Sequence, residues 1–212
     1  MIFIKNIAVF VSGGGTNLQA LIDATKSGKI ANGRISLVLS SKDDAYALTR
    51  ARQNNIPAEI VMRKKYPDEK KFSAKILEKM KPYDIGLIVL AGFMSVLSED
   101  FVRLYENRMI NTHPALIPAF CGKGFYGLKV HEKALERGVK LSGATVHFAN
   151  EITDGGPIIL QRAVEVKDGD TPESLQKRIM SEAEQIILVE AVNLFCEDRL
   201  EVKDNKVYII QN

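Results

Sequence analysis

Across 212 residues, a hydrophobic share of 46% and a charged share of 26% describe an ordinary globular chain, long enough to bury a substantial core as a single domain. With 29 lysines and arginines against 26 aspartates and glutamates, the net charge of +3 argues against a nucleic-acid or membrane surface and leaves small molecules, anionic ones included, as the expected partners. No apolar run approaches the roughly 20 residues of a membrane span, and MIFIKNIAVFV leads into a strand with no small-residue cleavage site, so the cytoplasm is the expected compartment.

Residues 7–11 (IAVFV) form a β-branched and aromatic run, as a buried parallel strand requires. The run ends at Ser12-Gly13-Gly14-Gly15-Thr16-Asn17, and a helix follows with Leu18, Leu21, Ile22 and Thr25 spaced to face a core. Strand, glycine turn and helix together present free N–H groups and the positive end of a helix dipole to an anion, with Thr16 and Asn17 adding side-chain donors. No GK[ST] closes the run, and Leu18 stands where a dinucleotide fingerprint wants its last glycine. A phosphate site and a tight turn without a ligand both fit this pattern.

A strand is expected at residues 35–40, a helix at 45–53, a short strand at 56–62 and a charged surface helix at 68–80 with Phe72, Ile76, Leu77 and Met80 inward. Residues 85–91 (IGLIVLA) are the most apolar run and suit a central strand buried on both sides. Gly92, Phe93 and Met94 follow at its carboxyl end, where open α/β sheets bind ligands; a purely core role for Phe93 and Met94 fits as well. Ser98, with Glu99 and Asp100 behind it, caps a helix through Leu104.

MINTHPALIP, residues 109–118, is the stretch that organises the rest. Asn111 and His113 are two apart on an extended chain and point to the same side. Histidine moves protons near neutral pH, and asparagine donates to a developing oxyanion. NEITDGGP, residues 150–157, offers Asp154 on a glycine turn, and the three are expected to meet in space. The plainer alternative is a loop histidine satisfied by backbone and an aspartate that only makes a turn.

Between them, the glycine-rich residues 119–127 suit a mobile loop, residues 130–137 a short helix, and residues 141–148 an alternating strand. A strand at 158–166 comes next, then a helix opened by Thr171-Pro172-Glu173 and running to Phe195, and two short strands around Asp204-Asn205. Cys121 and Cys196 match no metal spacing and read as reduced thiols. His131 is assigned to the loop, and His147 to packing or to orienting a neighbour. The rhythm implies an α/β fold, a Rossmann-like doubly wound, mostly parallel sheet with right-handed crossovers and an antiparallel edge.

VSGGGTNLQALIDA, LAGFMSVLS, NTHPALIPAF, HFANEITDGGPIILQ and the closing acidic helix, in that order, resemble the phosphoribosylglycinamide formyltransferases, folate-dependent enzymes of purine biosynthesis. The resemblance covers roughly residues 7–195 and is carried most strongly by Asn-x-His-Pro followed some forty residues later by Asp-Gly-Gly-Pro. It implies one formyltransferase domain over 1–212, with a phosphate-binding half to about 105, a catalytic and folate half to about 199 and a terminal hairpin at 200–212. It implies 10-formyltetrahydrofolate as co-substrate, no metal, and a monomer or homodimer. The family's catalytic residues fall on Asn111, His113 and Asp154. Its phosphate contacts fall on Gly15, Thr16 and Asn17, and its folate pocket on Met94, Ser95, Val96 and Leu97 together with Asn111 and the turn before Asp154.

The family's ribose-holding glutamate falls on Glu184 when counted back from Phe195, but on Ala183 when counted forward from Arg178, a mismatch that one inserted residue explains. Ser95 stands where many members have arginine, and Arg63 is the nearest stand-in for another expected arginine. Loop 122–127 is longer than in some relatives and suits a cover over the substrates. Two relatives of the same chemistry compete. Formyltetrahydrofolate deformylases use water as acceptor and carry an added N-terminal domain, whereas methionyl-tRNA formyltransferases carry an added C-terminal one. A non-catalytic nucleotide-binding module would keep the Gly15 turn but has no use for the Asn111, His113 and Asp154 set.

Overall fold

The run expected as the first strand is β1 (Lys5–Val11), covered on both faces, and its alternate residues divide the core in two. Ile7, Val9 and Val11 pack with Leu18 and Leu21 of α1 (Thr16–Lys26) and with Leu188 and Val192 of α7 (Gln185–Cys196). Ala8 and Phe10 pack on the other side with Phe72 and Ile76 of α3 (Glu69–Met80) and Phe101 of α4 (Glu99–Leu104). Successive strand residues point to opposite faces, so an unbroken apolar run is what a strand between two helical layers needs. The computed structural model describes residues 4–211; Met1 to Phe3, where the N-terminal apolar run begins, and Asn212 lie outside them.

Parallel strands flank β1: β2 (Gly33–Ser40) on one side and β4 (Leu87–Leu90) on the other. β3 (Ala58–Ile60) extends the sheet past β2, and β5 (Met109–His113) lies parallel to β4. β6 (Leu141–Phe148) and β7 (Ile158–Glu165) then add antiparallel, giving the order β3-β2-β1-β4-β5-β6-β7. The chain builds outward from β1 first to one side and then to the other. The gap between these two directions of growth, at the carboxyl ends of β1 and β4, is where a doubly wound sheet opens a crevice.

The remaining helices are α2 (Tyr46–Gln53), α5 (Leu128–Arg137) and α6 (Pro172–Ile179). Their starts follow their sequences. Asp68 accepts from Lys71 N–H, Ser98 from Phe101 N–H, and Thr171 forms a reciprocal capping box with Ser174. Helix α1 differs in one residue from its expected face: Ala24 is buried, and Thr25 turns its hydroxyl back to the Leu21 carbonyl at 2.8 Å. The helix expected from Thr171 to Phe195 is continuous in direction but interrupted by a π-helical turn, Met180–Glu184, between α6 and α7. A π-turn holds one residue more than an α-turn. β8 (Leu200–Lys203) and β9 (Lys206–Ile209) form the expected hairpin, with Asp204 and Asn205 both left-handed at φ 50° and 59°. Among the described residues no helix is long and apolar enough to cross a membrane.

Two glycines fix the edge that carries Asp154. A Cβ on Gly143 would lie 2.1 Å from the Arg162 carbonyl oxygen, and one on Gly156 1.8 Å from the Phe148 carbonyl oxygen. Gly156→Ala is therefore expected to cost about 2–4 kcal/mol of stability, in the range of substitutions that force the backbone apart. Denaturant midpoints measure it, and an unchanged midpoint would mean that the turn yields without loss.

Candidate active site

A cavity of about 750 Å³ opens at the carboxyl ends of β1, β4 and β5. Its floor at one end is the turn after β1. Gly15 is the residue before α1 and takes φ 73°, where its missing Cβ would otherwise stand 2.7 Å from the Ala47 Cβ. Ala47 N–H donates to the Gly13 carbonyl at 3.1 Å, and Arg50 Nε to the Gly14 carbonyl at 2.9 Å. These bonds engage the turn's carbonyls, while the first-turn N–H groups of α1 have no intrahelical acceptor and face the cavity. Thr16 is exposed at this end. Asn17 corrects the expectation of a side-chain donor for an anion: it is buried, and its Nδ2 donates to Glu184 Oε1 at 2.8 Å.

The π-turn decides between Ala183 and Glu184. Ala183 is buried in the apolar core, and Glu184, the last residue of the turn, lines the cavity with its carboxyl group against Asn17 and, at 3.5 Å, the Thr112 hydroxyl. Burial raises the Glu184 carboxyl above its usual range, and the hydrogen bonds from Asn17 and Thr112 offset only part of the rise.

Asn111, His113 and Asp154 do meet. Asp154 caps the β6–β7 turn in a left-handed conformation, φ 56°, with its side chain only 8% exposed. Its Oδ2 accepts from Gly122 N–H at 2.8 Å and lies 3.5 Å from His113 Nδ1. Its Oδ1 lies 3.5 Å from Asn111 Nδ2 and 3.7 Å from His147 Nε2. Burial alone would raise the Asp154 carboxyl, but His147, the Gly122 N–H and the charge on His113 outweigh it and hold the group below its usual range. His113 Nε2 lies 2.8 Å from the Phe120 carbonyl, which only accepts, so that nitrogen carries a proton. His147 Nδ1 meets the Phe148 carbonyl at 2.8 Å, which turns Nε2 to Asn111 Nδ2 at 3.1 Å. The sheet itself sets this pair, since Asn111 and His147 are register partners across β5 and β6.

The other end of the cavity is apolar. Met94, Val96 and Ile152 are large hydrophobic side chains left 54%, 65% and 68% exposed, and all three line it with Ser95 and Leu97. The backbone of Met94 is anchored to the end of β1, its N–H donating to Ser12 Oγ at 2.9 Å. Phe93 divides its surface between the cavity and the core, where its ring lies 5.3 Å from that of Phe10 and stacks on Phe72. Arg63 is not brought to the cavity. Its Nη1 donates to the Tyr66 carbonyl and its guanidinium lies over Phe72; Glu69 is the residue from that side that lines the wall. Loop residues Gly122, Lys123, Phe125 and Tyr126 also line the cavity.

Two histidines carry more than their sequence context indicated. His147 orients Asn111, as its alternative reading allowed. His131 is not in the loop: it lies on α5, fully buried, and lines the cavity. Its only sequence signal is its place on the inner face of a short amphipathic helix, the same signal as a core residue.

An amide, an imidazole and a carboxylate on one wall of such a crevice can hold a developing oxyanion and move a proton, which is the chemistry of an acyl-type group transfer. The formyl transferase family profile matches residues 5–192, and the chain belongs to that family. Among curated relatives, a phosphoribosylglycinamide formyltransferase from Arabidopsis thaliana, described as chloroplastic, is 39% identical over 209 residues, 98% of this chain and 71% of its own length. The crystal structure of glycinamide ribonucleotide transformylase 1 from Symbiobacterium toebii matches with a TM-score of 0.91 and 42% identity, over 98% of this chain and 95% of that one. A formyltetrahydrofolate deformylase from Pseudomonas syringae pv. tomato has a TM-score of 0.87 at 28% identity, over 98% of this chain and 66% of that one.

Because the Glu184 carboxyl is raised, its contribution to stability is full below the ordinary glutamate pKa and is lost as pH rises through the folded-state value. Glu184→Gln is therefore expected to be more stable than the parent at pH 8, by about 0.5–2 kcal/mol, with the gap closing toward pH 4. Thermal unfolding at the two pH values tests this, and a less stable variant at pH 8 would refute the burden assigned to the carboxylate.

Proposed function

We propose that this chain transfers the formyl group of 10-formyltetrahydrofolate to the primary amine of 5-phosphoribosylglycinamide in purine biosynthesis. The observation that carries the reading is the Asn111, His113 and Asp154 cluster in one cavity, which the glycine turn before α1 and an exposed apolar wall also line. In this reading residues to about 105 hold the phosphate and carry the Met94 to Leu97 part of the folate wall. Residues from about 106 to 199 supply catalysis and the remaining folate contacts, and residues 200–212 form a terminal hairpin. The free thiols Cys121 and Cys196 suit the reducing cytoplasm we assign to it.

The phosphate meets the first-turn N–H groups of α1, with Gly15 giving close backbone approach and Thr16 a hydroxyl. Glu184 accepts from the ribose hydroxyls. The flat folate lies against Met94, Ser95, Val96 and Leu97 and supplies an activated formyl group on nitrogen. Arg63 has no part in this wall, being tied to Tyr66 and Phe72.

As the amine attacks, negative charge develops on the formyl oxygen. One hydrogen of Asn111 Nδ2 is held by His147; the other has only Asp154 at 3.5 Å, the limit of a hydrogen bond, so a nearer oxyanion takes it. His113 stands between acceptors on both ring nitrogens, Phe120 carbonyl and Asp154, and a doubly protonated ring satisfies both. An ionised Asp154 stabilises that charge and receives the proton that the amine gives up. The intermediate then collapses as the bond from the formyl carbon to the folate nitrogen breaks. That nitrogen takes a proton from His113 and leaves with tetrahydrofolate, and the proton on Asp154 restores the His113 ring. His113 can donate to the substrate only when the Phe120 carbonyl leaves Nε2. Phe120 sits at φ 49°, a conformation that a non-glycine residue rarely holds.

His113→Ala and Asp154→Asn are expected to lose at least about a hundredfold in kcat while still folding, and Asn111→Ala about 10²–10³. Retention of near-parent turnover by the first two would remove the assignment. Thr16→Val is expected to raise KM for the phosphorylated substrate more than for its dephosphorylated analogue; equal effects would move the phosphate site elsewhere. The reaction itself is tested by following folate release with and without phosphoribosylglycinamide. Release that proceeds equally without the amine would make water the acceptor, as in the deformylases.

A further inference from the structure

The wall formed by α5 and α6 holds a polar residue that the mechanism does not use. His131 has no exposed surface and lines the cavity, and neither of its ring nitrogens has a hydrogen-bond partner among the described residues. Buried polar groups are almost always paired, because leaving one unpaired costs the full desolvation of that group. An imidazole with both nitrogens unpaired, beside a cavity, is therefore placed to receive something.

Its chemistry narrows what that is. Burial first, and the charge on His113 second, push the His131 imidazole down to about 4, so the ring is neutral and offers one N–H and one lone pair. A phosphate accepts only, and an apolar ring system does neither. A hydroxyl or an amide does both. Helix α5 packs against α6, which brings Gln176, Met180 and, one turn further, Glu184 into the same wall. His131 thus shares a wall with these residues, close enough to His113 to feel its charge.

Resting on the formyl-transfer reading, we propose that His131 is a binding residue for the amine substrate. Its two ring nitrogens, which point away from each other, engage separate uncharged donor and acceptor groups of that molecule, among the ribose hydroxyls and the glycinamide amide. The cost of the unpaired imidazole in the free chain is then recovered on binding, and the selectivity it gives is against ligands that lack such a group.

His131→Leu, close in volume, removes both polar groups. Its unfolding midpoint is expected to equal or exceed that of the parent, while the calorimetric Kd for phosphoribosylglycinamide, measured without folate, rises at least about tenfold. His131→Gln restores a donor and an acceptor and is expected to regain part of that affinity. A Leu variant that binds the amine substrate within about twofold of the parent overturns the proposal. So does one whose midpoint falls by several degrees, since that fall means that the nitrogens are satisfied inside the fold. Failure of the functional reading is seen separately, as a parent chain that does not bind phosphoribosylglycinamide at all, and it takes the proposal with it.

Discussion

A carboxylate buried to 8% exposure must find partners or lose its charge, and Asp154 finds all of its partners on other segments. His113 comes from the end of β5, His147 from β6, Gly122 from the loop between them, and Asn111 from the strand interior. Each of these contacts ties the β6–β7 turn to a different part of the chain. The turn can hold them because Gly156 lets its backbone lie against the Phe148 carbonyl. Keeping the carboxylate charged is thus the constraint that brings sheet edge, loop and central strand into one arrangement, and His113 acquires its partner as a consequence.

The change from parallel to antiparallel pairing makes this arrangement geometrically available. Parallel β5 ends at the crevice, as strands of such sheets do, while antiparallel β6 runs back through it. Asn111 therefore faces His147 in register, and His113 faces Thr145. The Thr145 hydroxyl donates to the Ala115 carbonyl at 2.7 Å and accepts from Ile117 N–H at 3.0 Å, which pins the proline-rich segment that follows His113. Residues face each other directly across an antiparallel pair, so the opposition of Asn111 and His147 depends on this reversal of strand direction.

Much of this was legible in the residues. The uninterrupted apolar runs at β1 and β4 could only be strands covered on both faces, and the two-residue spacing of Asn111 and His113 fixed their common direction before any fold was known. The rest failed for identifiable reasons. Glu184 was ambiguous because spacing presumes a regular helix, and the π-turn shifts the phase by one residue. Asn17 was read as an anion ligand because a polar residue at a helix start usually faces out, yet here it turns inward to a glutamate from the far end of the chain. Arg63 was chosen by nearness in sequence, which says nothing about a short 3₁₀ turn that aims it at Phe72. A buried histidine on an amphipathic helix, such as His131, leaves the same trace as a leucine.

Three of the polar groups that the fold leaves poorly served share one place, whereas the Ser142 hydroxyl and Asn193 side-chain oxygen, also unpaired among the described residues, lie outside it. Glu184 is buried with its carboxyl raised, the Asn17 side-chain oxygen beside it has no partner among the described residues, and His131 has none on either nitrogen. All three line the cavity. The opposite wall has the reverse defect, exposed Met94, Val96 and Ile152. A chain selected for stability alone would correct both, pairing or removing the first set and covering the second. Their separation onto two walls instead describes two ligands: a polyhydroxylated one that supplies hydrogen bonds, and a flat apolar one that supplies cover. The Asn111, His113 and Asp154 cluster lines the same cavity as both sets, and a group passing from one ligand to the other has to move within it.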